Sequence, residues 1–171
     1  ASGGRLAGII SSRGEFLKVE TDESGRVLCV SVNQDGEEVK LVRYRYDDRG
    51  DMVETIDALD VSKHFVYSGG HLLVRLTNQG GMFFHWEYEG KGENARCVHT
   101  WGDGGVMEYF IRYGKGYTHI RNGENAETEY YYGEDKLIYK IVDANGGITR
   151  HQYNSFQELE VTVNPEGYTR K

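Results

Sequence analysis

The chain has 171 residues, a net charge of −7 and 38% hydrophobic residues, a composition typical of one globular domain with an apolar core. Acidic and basic residues are interspersed, which argues against a nucleic-acid partner, and no apolar run approaches the roughly 18 residues that a membrane helix needs. Tyrosine occurs 13 times, glycine 23 times and proline once, which favours many short β-strands joined by glycine turns.

The first residues of the chain form a lead-in. Residues 1–15 are small and glycine-rich, and they carry no basic segment followed by an apolar stretch, so this segment has no predicted signal peptide. Leu6, Ile9 and Ile10 suit an edge strand, whereas Ala1 to Gly4 suit a remnant added for expression. We predict a lead-in over residues 1–15 and a repeat region over residues 16–171.

The repeat region reads as strand, turn, strand, turn, with about ten residues for each half. Residues 51–56 predict a strand, residues 57–60 a turn and residues 61–67 the returning strand. A turn at 68–70 then leads into a strand over 71–77, where apolar positions alternate. The next return strand, residues 82–88, places aromatic side chains on both faces.

Two markers recur with one period along this pattern. A tyrosine returns at spacings of 21, 21, 25, 19 and 21 residues, at Tyr46, Tyr67, Tyr88, Tyr113, Tyr132 and Tyr153. A turn that opens with Asp or Asn returns at spacings of 21, 25, 19, 21 and 21 residues, at Asp57, Asn78, Asp103, Asn122, Asp143 and Asn164. Two series with one period indicate that a single supersecondary unit is repeated.

Turn chemistry explains the residue types at these markers. Asp and Asn side chains bond the turn backbone, and glycine adopts a positive φ without strain. DxxG or NxxG recurs from Asp22, Asn33, Asp47, Asn78, Asp143 and Asn164. We therefore add Asp47, Gly50, Gly81, Gly146 and Gly167 to the two marker series as the residues that define the repeat.

One stretch departs from the common spacing. The gap of 25 residues between Tyr88 and Tyr113 places extra residues in 89–94 and in the turn at 102–105. Insertions usually fall in loops, so we predict a protruding connection at 89–94.

No catalytic, cofactor or metal site is predicted. The histidines lie one per strand or turn without a helical metal spacing, at His64, His71, His85, His99, His119 and His151. Cys29 and Cys97 show no CxxC spacing, so we expect reduced thiols. No GxSxG motif occurs, and turn formation explains the paired carboxylates. We therefore predict that the segment is not an enzyme.

The segment Tyr44 to Gly50 reads YRYDDRG, and a DxxG-like turn follows about ten residues later. This pattern resembles the YD repeat of the RHS family. Weaker copies lie at Tyr88, Tyr113, Tyr132 and Tyr153, and the resemblance extends from about Phe16 to Lys171.

The resemblance implies an all-β fold in which antiparallel hairpins of about 21 residues form a curved, open spiral sheet. Bacterial polymorphic toxins, insecticidal toxin-complex C components and animal teneurins share that shell. In the bacterial members it encloses a C-terminal toxin domain. The implied function is thus a structural wall segment, and the implied partners are the rest of the shell, the toxin domain and a secretion machinery. The resemblance also implies synthesis in a bacterial cytoplasm and delivery as part of a larger toxin.

Simple geometry limits what this segment encloses alone. Roughly thirteen strands about 4.8 Å apart give a sheet about 60 Å wide, which would close into a ring only about 20 Å across. Such a ring is too small for a folded toxin domain. An open sheet with exposed edges is therefore expected, and such edges favour self-association.

The sequence also allows a second function, that of an extracellular binding module. A repeat sheet can present an extended face, and five aromatic residues are candidates for contact with a glycan or a protein partner. They are Phe83, Trp86, Trp101, Tyr109 and Tyr130.

Overall fold

A computed structural model describes residues 4–171. The chain divides into two compact units, Ala1–His85 and Trp86–Lys171. Both units consist of antiparallel β-strands, each paired with its neighbours in sequence, so the strand order in the sheet is the order in the chain. The predicted all-β fold of antiparallel hairpins in an open sheet is confirmed.

The first unit contains seven strands and the start of an eighth. These are β1 (Gly8–Ile10), β2 (Phe16–Thr21), β3 (Val27–Gln34), β4 (Glu37–Tyr46), β5 (Met52–Asp57), β6 (Ser62–Tyr67), β7 (Leu73–Thr77) and β8 (Phe83–Glu89). Strands β5 to β8 lie within a residue or two of the strands predicted over 51–56, 61–67, 71–77 and 82–88, and β7 starts later because His71 belongs to the preceding turn.

The second unit contains the end of β8 and eight further strands. These are β9 (Arg96–Gly102), β10 (Tyr109–Gly114), β11 (Tyr117–Asn122), β12 (Glu127–Tyr132), β13 (Ile138–Val142), β14 (Ile148–Tyr153), β15 (Leu159–Val163) and β16 (Thr169–Arg170). Two short 3₁₀ turns, Gly92–Asn94 and Asp103–Gly105, occupy the segments where the sequence predicts extra residues. The described residues thus form 16 strands, more than the roughly thirteen expected, and β1 in the lead-in and β16 at the C-terminal end are two of the additional ones.

The strand pairs place alternate side chains on opposite faces. Tyr44 pairs with Thr55 on one face, and Arg45 pairs with Glu54 on the other. Several pairs contain a β-bulge at the end of the hairpin, as between Arg45 and Tyr46. A bulge increases the local twist and re-aims the side chains beside it.

The core is small because each unit is one sheet without a second layer. Among the described residues only Val19, Cys29 and Ile56 are buried hydrophobic residues, and both cysteines are free. The protein exposes 12247 Å² of surface. A compact monomer of this mass exposes about 8500 Å², and two separate compact domains of half the mass would expose about 10,000 Å². Much of the sheet surface is therefore uncovered.

None of the helical segments in residues 4–171 has the length and apolar character needed to cross a membrane.

Candidate functional site

The turns that join the strands share one backbone geometry. In eleven turns of the described chain, the first residue donates its N–H to the carbonyl four residues later, and the residue three positions on donates back to the first carbonyl. The fourth residue has a positive φ in every case. This combination is a tight turn followed by a left-handed residue, a common hairpin connection that forms a bulge. The turns open at Ser11, Asp22, Asp47, Asp57, Ser68, Asn78, Asn122, Gly133, Asp143, Asn154 and Asn164.

The Asp or Asn side chain that opens a turn accepts hydrogen bonds from backbone N–H groups of the same turn. Oδ1 of Asp57 accepts the N–H groups of Leu59 at 2.8 Å and Val61 at 3.0 Å. Asn78 makes the same two bonds to Gly80 and Met82, at 2.9 and 3.0 Å. Since Asp and Asn offer the same acceptor oxygen, either residue serves at this position.

The predicted turn markers fall at defined places in this geometry. Five members of the Asp/Asn series open a turn, as does Asp47, and four predicted glycines occupy the left-handed fourth position, at Gly50, Gly81, Gly146 and Gly167. Asp103 does not open its turn: the N–H of Gly102 bonds the carbonyl of Val106, so the turn starts one residue earlier.

A second difference concerns the segment from Asn33 to Gly36. It forms a two-residue hairpin between β3 and β4, in which Asp35 and Gly36 both have positive φ, at 53° and 91°. Two successive positive φ values are typical of a type I′ turn. The NxxG spacing therefore marks a different turn here, although Asn33 Oδ1 still accepts the N–H of Gly36.

The marker tyrosines lie at or next to the last residue of a strand: Tyr46 in β4, Tyr67 in β6, Tyr88 in β8, Tyr113 in β10, Tyr132 in β12 and Tyr153 in β14. Four of their hydroxyl groups donate to a carbonyl of the preceding strand. Tyr46 bonds Val27 at 3.0 Å, Tyr113 bonds Cys97 at 2.8 Å, Tyr153 bonds Ile138 at 2.9 Å and Tyr132 bonds Tyr117 at 3.5 Å. Partial burial raises the pKa of the Tyr46 hydroxyl.

A cation covers several of these rings. The guanidinium of Arg26 lies 4.9 Å from the ring centre of Tyr46, and Arg96 lies 5.1 Å from that of Tyr113. In both cases the arginine is the residue immediately before the one whose carbonyl accepts the hydrogen bond of the tyrosine hydroxyl. The tyrosine therefore holds the start of one strand by a hydrogen bond and by a cation–π contact.

Neighbouring turns on one edge of the first unit are linked by charged side chains. Arg49 donates Nη1 to the carbonyl of Ser68 at 3.0 Å and Nη2 to Asp51 at 2.8 Å. The other oxygen of Asp51 lies 2.7 Å from Nδ1 of His71, whose residue occupies the left-handed position of the next turn. Asp51 is buried, so these contacts satisfy a carboxylate that water reaches poorly.

Charged side chains also join β2, β3 and β4 across one face. Nζ of Lys18 lies 2.8 Å from Glu38 and 2.9 Å from Glu20, and the hydroxyl of Ser31 donates to Glu38 at 2.7 Å. The hydrogen bond from Lys18 is the largest cause that lowers the pKa of Glu38. The hydrogen bond to Glu38 is likewise the first cause that raises the pKa of Lys18.

Aromatic and charged side chains cluster on β9 and β10. The His99 ring stacks between Trp101 and Phe110, with ring centres 4.2 Å apart in both pairs. Its nitrogens face Glu87 at 3.4 Å and Glu108 at 3.0 Å. Arg121 lies 4.1 Å from the ring centre of Phe110. The faces of these rings are thus largely occupied by other side chains.

Within residues 4–171, no group of three or more His, Cys, Asp or Glu side chains is arranged to hold a metal ion. The structure shows histidine contacts that the sequence did not predict, with carboxylates at His64, His71, His99 and His119, with the Thr162 hydroxyl at His151 and with the Phe83 ring at His85.

Comparison with known proteins gives one sequence relative. Over 132 residues the chain is 24% identical to the probable deoxyribonuclease RhsB of Dickeya dadantii strain 3937, a match that covers 77% of this chain and 9% of that protein. No protein-family model matches the chain.

Solved structures share the fold. The match to the Tc holotoxin pore of Photorhabdus luminescens has a TM-score of 0.61 at 11% identity, and it covers 95% of this chain and 12% of that one. The match to the TcdB2-TccC3-Cdc42 structure has a TM-score of 0.52 at 13% identity, with 94% and 11% covered. The chain spans about a tenth of the length of these proteins. Together the sequence and structure matches confirm the resemblance to the RHS-repeat family.

Proposed function

Because the chain is a stretch of RHS-type repeat sheet, we propose that it forms part of the wall of a shell that encloses a C-terminal toxin domain before delivery. The observation that carries this proposal is the surface of the protein. It exposes 12247 Å², well above the value of about 8500 Å² for a compact monomer of its mass. A sheet with so much uncovered surface suits a wall that is completed by further chain.

The contacts of the turns support the same role. A wall must resist opening between adjacent strands, and here many hairpins are closed by side-chain bonds to their own turn backbone, while further side chains join neighbouring turns or strands. Arg49, Asp51 and His71 link two successive turns, and Lys18 and Glu38 link strands that flank β3. In this proposal the marker residues from Tyr46 to Gly167 have a structural role in the turns and strand ends, and these further contacts hold neighbouring turns and strands together.

In this proposal the segment does not catalyse a reaction. Its titratable side chains serve turns, ion pairs and ring contacts. The partners would be the remainder of the shell, the enclosed domain and the machinery that delivers the whole toxin after synthesis in the bacterial cytoplasm. The RhsB relative is a probable deoxyribonuclease, and this chain matches 9% of its length. We assign any such activity to a domain other than this one.

The alternative is a binding module that recognises a glycan through its aromatic face. The geometry supports it less, since sugar stacking needs free ring faces. Arg75 lies 5.4 Å from the ring centre of Phe83, and the ring of His99 stacks on Trp101. Saturable glycan binding by the 171-residue chain, abolished by Trp86→Ala or Tyr130→Ala, would favour the alternative.

The first test is the sequence of the parent reading frame on both sides of this segment. The proposal expects further YD-like hairpins followed by a distinct C-terminal domain. If the frame holds no further hairpins, the segment alone encloses nothing, and the proposal fails.

The second test is protease protection in the parent protein. The C-terminal domain should resist protease in the intact protein and become cleavable when Gly146→Val opens a turn of the wall. Gly69→Ala, at a turn glycine without a positive φ, is the matched control. A downstream domain cleaved as fast in the intact protein as in isolation would contradict enclosure.

A further inference from the structure

An open cleft of about 550 Å³ lies on the second unit, over strands β10 to β12. Its lining includes two guanidinium groups, a histidine, two carboxylates and a phenyl ring, from Arg112, Arg121, His119, Glu89, Glu127 and Phe110. The repeat pattern does not require these residue types, because none of them belongs to a turn marker.

The register of the strands brings the charged groups together. Phe110 of β10 pairs with Arg121 of β11, and Arg112 pairs with His119. The two arginines thus lie on the same face of adjacent strands, and a single residue pair, Ile111 with Ile120, separates their positions in the register. Glu127 of β12 pairs with Arg121 from the other side.

The carboxylate of Glu127 lies against the buried imidazole of His119 and not against an arginine. Arg112 only donates hydrogen bonds, so the 3.4 Å contact of its Nη2 with Nδ1 of His119 makes Nδ1 the acceptor. Nε2 of the same ring lies 3.3 Å from a carboxylate oxygen of Glu127. The His119 side chain is only 8% exposed, which fixes this arrangement in the floor of the cleft.

Neither arginine of the cleft makes an ion pair with a carboxylate within residues 4–171. Arg121 instead donates to Oδ1 of Asn125 at 2.7 Å and lies against the Phe110 ring. Arginines of the first unit differ, since Arg26, Arg45 and Arg49 each pair with a carboxylate. Both guanidinium groups therefore line the cleft without a carboxylate at ion-pair distance among the described residues, which leaves them able to receive an anion.

We propose that this cleft binds the carboxylate side chain of an extended, acidic polypeptide segment. The guanidinium groups of Arg112 and Arg121 form charge-assisted hydrogen bonds with the carboxylate.

The charge balance favours a carboxylate over a phosphate. The positive charges of Arg112 and Arg121 are equal in number to the negative charges of Glu89 and Glu127 in the lining, so these four side chains leave no net charge to offset a dianion. A single negative charge is accommodated at lower cost than two. The acidic segment would belong to the enclosed toxin domain, and this assignment rests on the proposed function. The binding of an acidic side chain in the cleft does not depend on it.

The test is an NMR titration of the 171-residue chain at constant ionic strength. The probe is a twelve-residue Gly/Ser peptide with one central Glu, compared with the same peptide carrying Gln. We expect the Glu peptide to shift the amide signals of residues 110–112 and 119–121, and the Gln peptide to bind at least fivefold more weakly. Arg112→Gln and Arg121→Gln should each weaken binding of the Glu peptide at least fivefold.

Arg150→Gln is the matched control, because Arg150 is an exposed arginine on β14 outside the cleft. It should change the affinity less than twofold. Equal binding of the Glu and Gln peptides, or shifts that avoid the cleft, would overturn the proposal. Stronger binding of inorganic phosphate than of the Glu peptide would also overturn it and would make the cleft a phosphate site. Each result stands apart from the protease test, so failure of one proposal is distinguishable from failure of the other.

Discussion

At the scale of single residues, the marker tyrosines do more than fill the end of a strand. The hydroxyl of Tyr46 donates to the carbonyl of Val27, and its ring receives the guanidinium of Arg26. A phenylalanine would retain the ring contact and lose the hydrogen bond. The hydroxyl explains why the repeated aromatic residue is a tyrosine.

We therefore predict that Tyr46→Phe lowers the free energy of unfolding by about 1 kcal/mol, the usual net value of one hydrogen bond. Denaturant unfolding measures the change. The control is Tyr139→Phe, because Tyr139 is 48% exposed and its hydroxyl makes no hydrogen bond within the described residues. Equal stability of Tyr46→Phe and the original protein would show that the ring alone matters.

The turn carboxylates make stability depend on pH. Hydrogen bonds from the backbone N–H groups of Val61 and Leu59 lower the pKa of Asp57. A lowered pKa in the folded state means that the stabilisation is fully present above the unfolded pKa of about 3.9 and is lost as the pH falls through the folded value.

Asp57→Asn should remove this component of the acid dependence, since Asn at Asn78 and Asn154 accepts the same turn bonds without titrating. Thermal unfolding between pH 2 and pH 7 tests it. The variant should lose less stability than the original protein below about pH 4. Parallel pH curves for the two proteins would rule out a role for Asp57 ionisation.

Residue identity alone did not reveal the cleft of Arg112, His119 and Arg121. These residues are separated by up to nine positions in the chain, and their contact depends on the exact pairing of β10 with β11. Turn length and bulges set that pairing. The only signal in the sequence was the alternation of charged and apolar residues, which does not specify the partner across the sheet.

At the scale of the hairpin, the fourth residue of each of the eleven turns adopts a left-handed backbone conformation, which is unfavourable for residues other than glycine. All eleven such residues have a positive φ, yet five of them are not glycine: Asp60, His71, Asn125, Lys136 and Gln157. A left-handed conformation costs a residue with a side chain roughly 1–2 kcal/mol. Asp60, His71 and Asn125 offset this cost through contacts with Arg43, Asp51 and Arg121.

Gly146→Ala should therefore destabilise the protein by about 1 kcal/mol. The residue has a φ of +81° and a substituted Cβ would meet no atom within 4 Å, so the effect would report the backbone conformation and not a clash. Gly69→Ala, where the Cβ also meets no atom and the φ is not left-handed, should change stability by less than about 0.5 kcal/mol. Equal melting temperatures of the two variants would contradict the prediction.

The sequence predicted the period, the hairpins and most turn positions because Asp, Asn and Gly have strong turn preferences. Turns at 68–70 and at Gly133 were predicted as well, although the DxxG and NxxG spacing is absent there because His71 and Lys136 stand in place of the glycine. It also placed one turn at Asp103 where the backbone bonds start at Gly102. Local preferences therefore identify the repeat, whereas tertiary contacts determine the exceptions.

At the scale of the whole molecule, stability is distributed along the chain. Each strand pairs with its sequence neighbours, and only three buried hydrophobic residues occur among the described positions. Proteins built in this way gain stability from each unit and from its contacts with the next. A local defect should then have a local effect.

We predict that Val19→Ala, at a residue that is 6% exposed, removes about 2 kcal/mol of local stability. Hydrogen exchange should show lost protection in β2 to β4 and unchanged protection in β13 to β15. Uniform loss across all strands would show that the chain unfolds as one cooperative body.

Because each turn is closed by bonds within its own hairpin, the repeat also affects how the length of such a gene can change. A hairpin completes its own turn bonds, so a block of 21 codons carries most of the instructions for two strands. Unequal recombination between two copies would insert or delete that block in frame and leave every remaining strand running in its original direction. The length of the encoded sheet can therefore vary by whole hairpins while the sequence of each surviving unit stays intact.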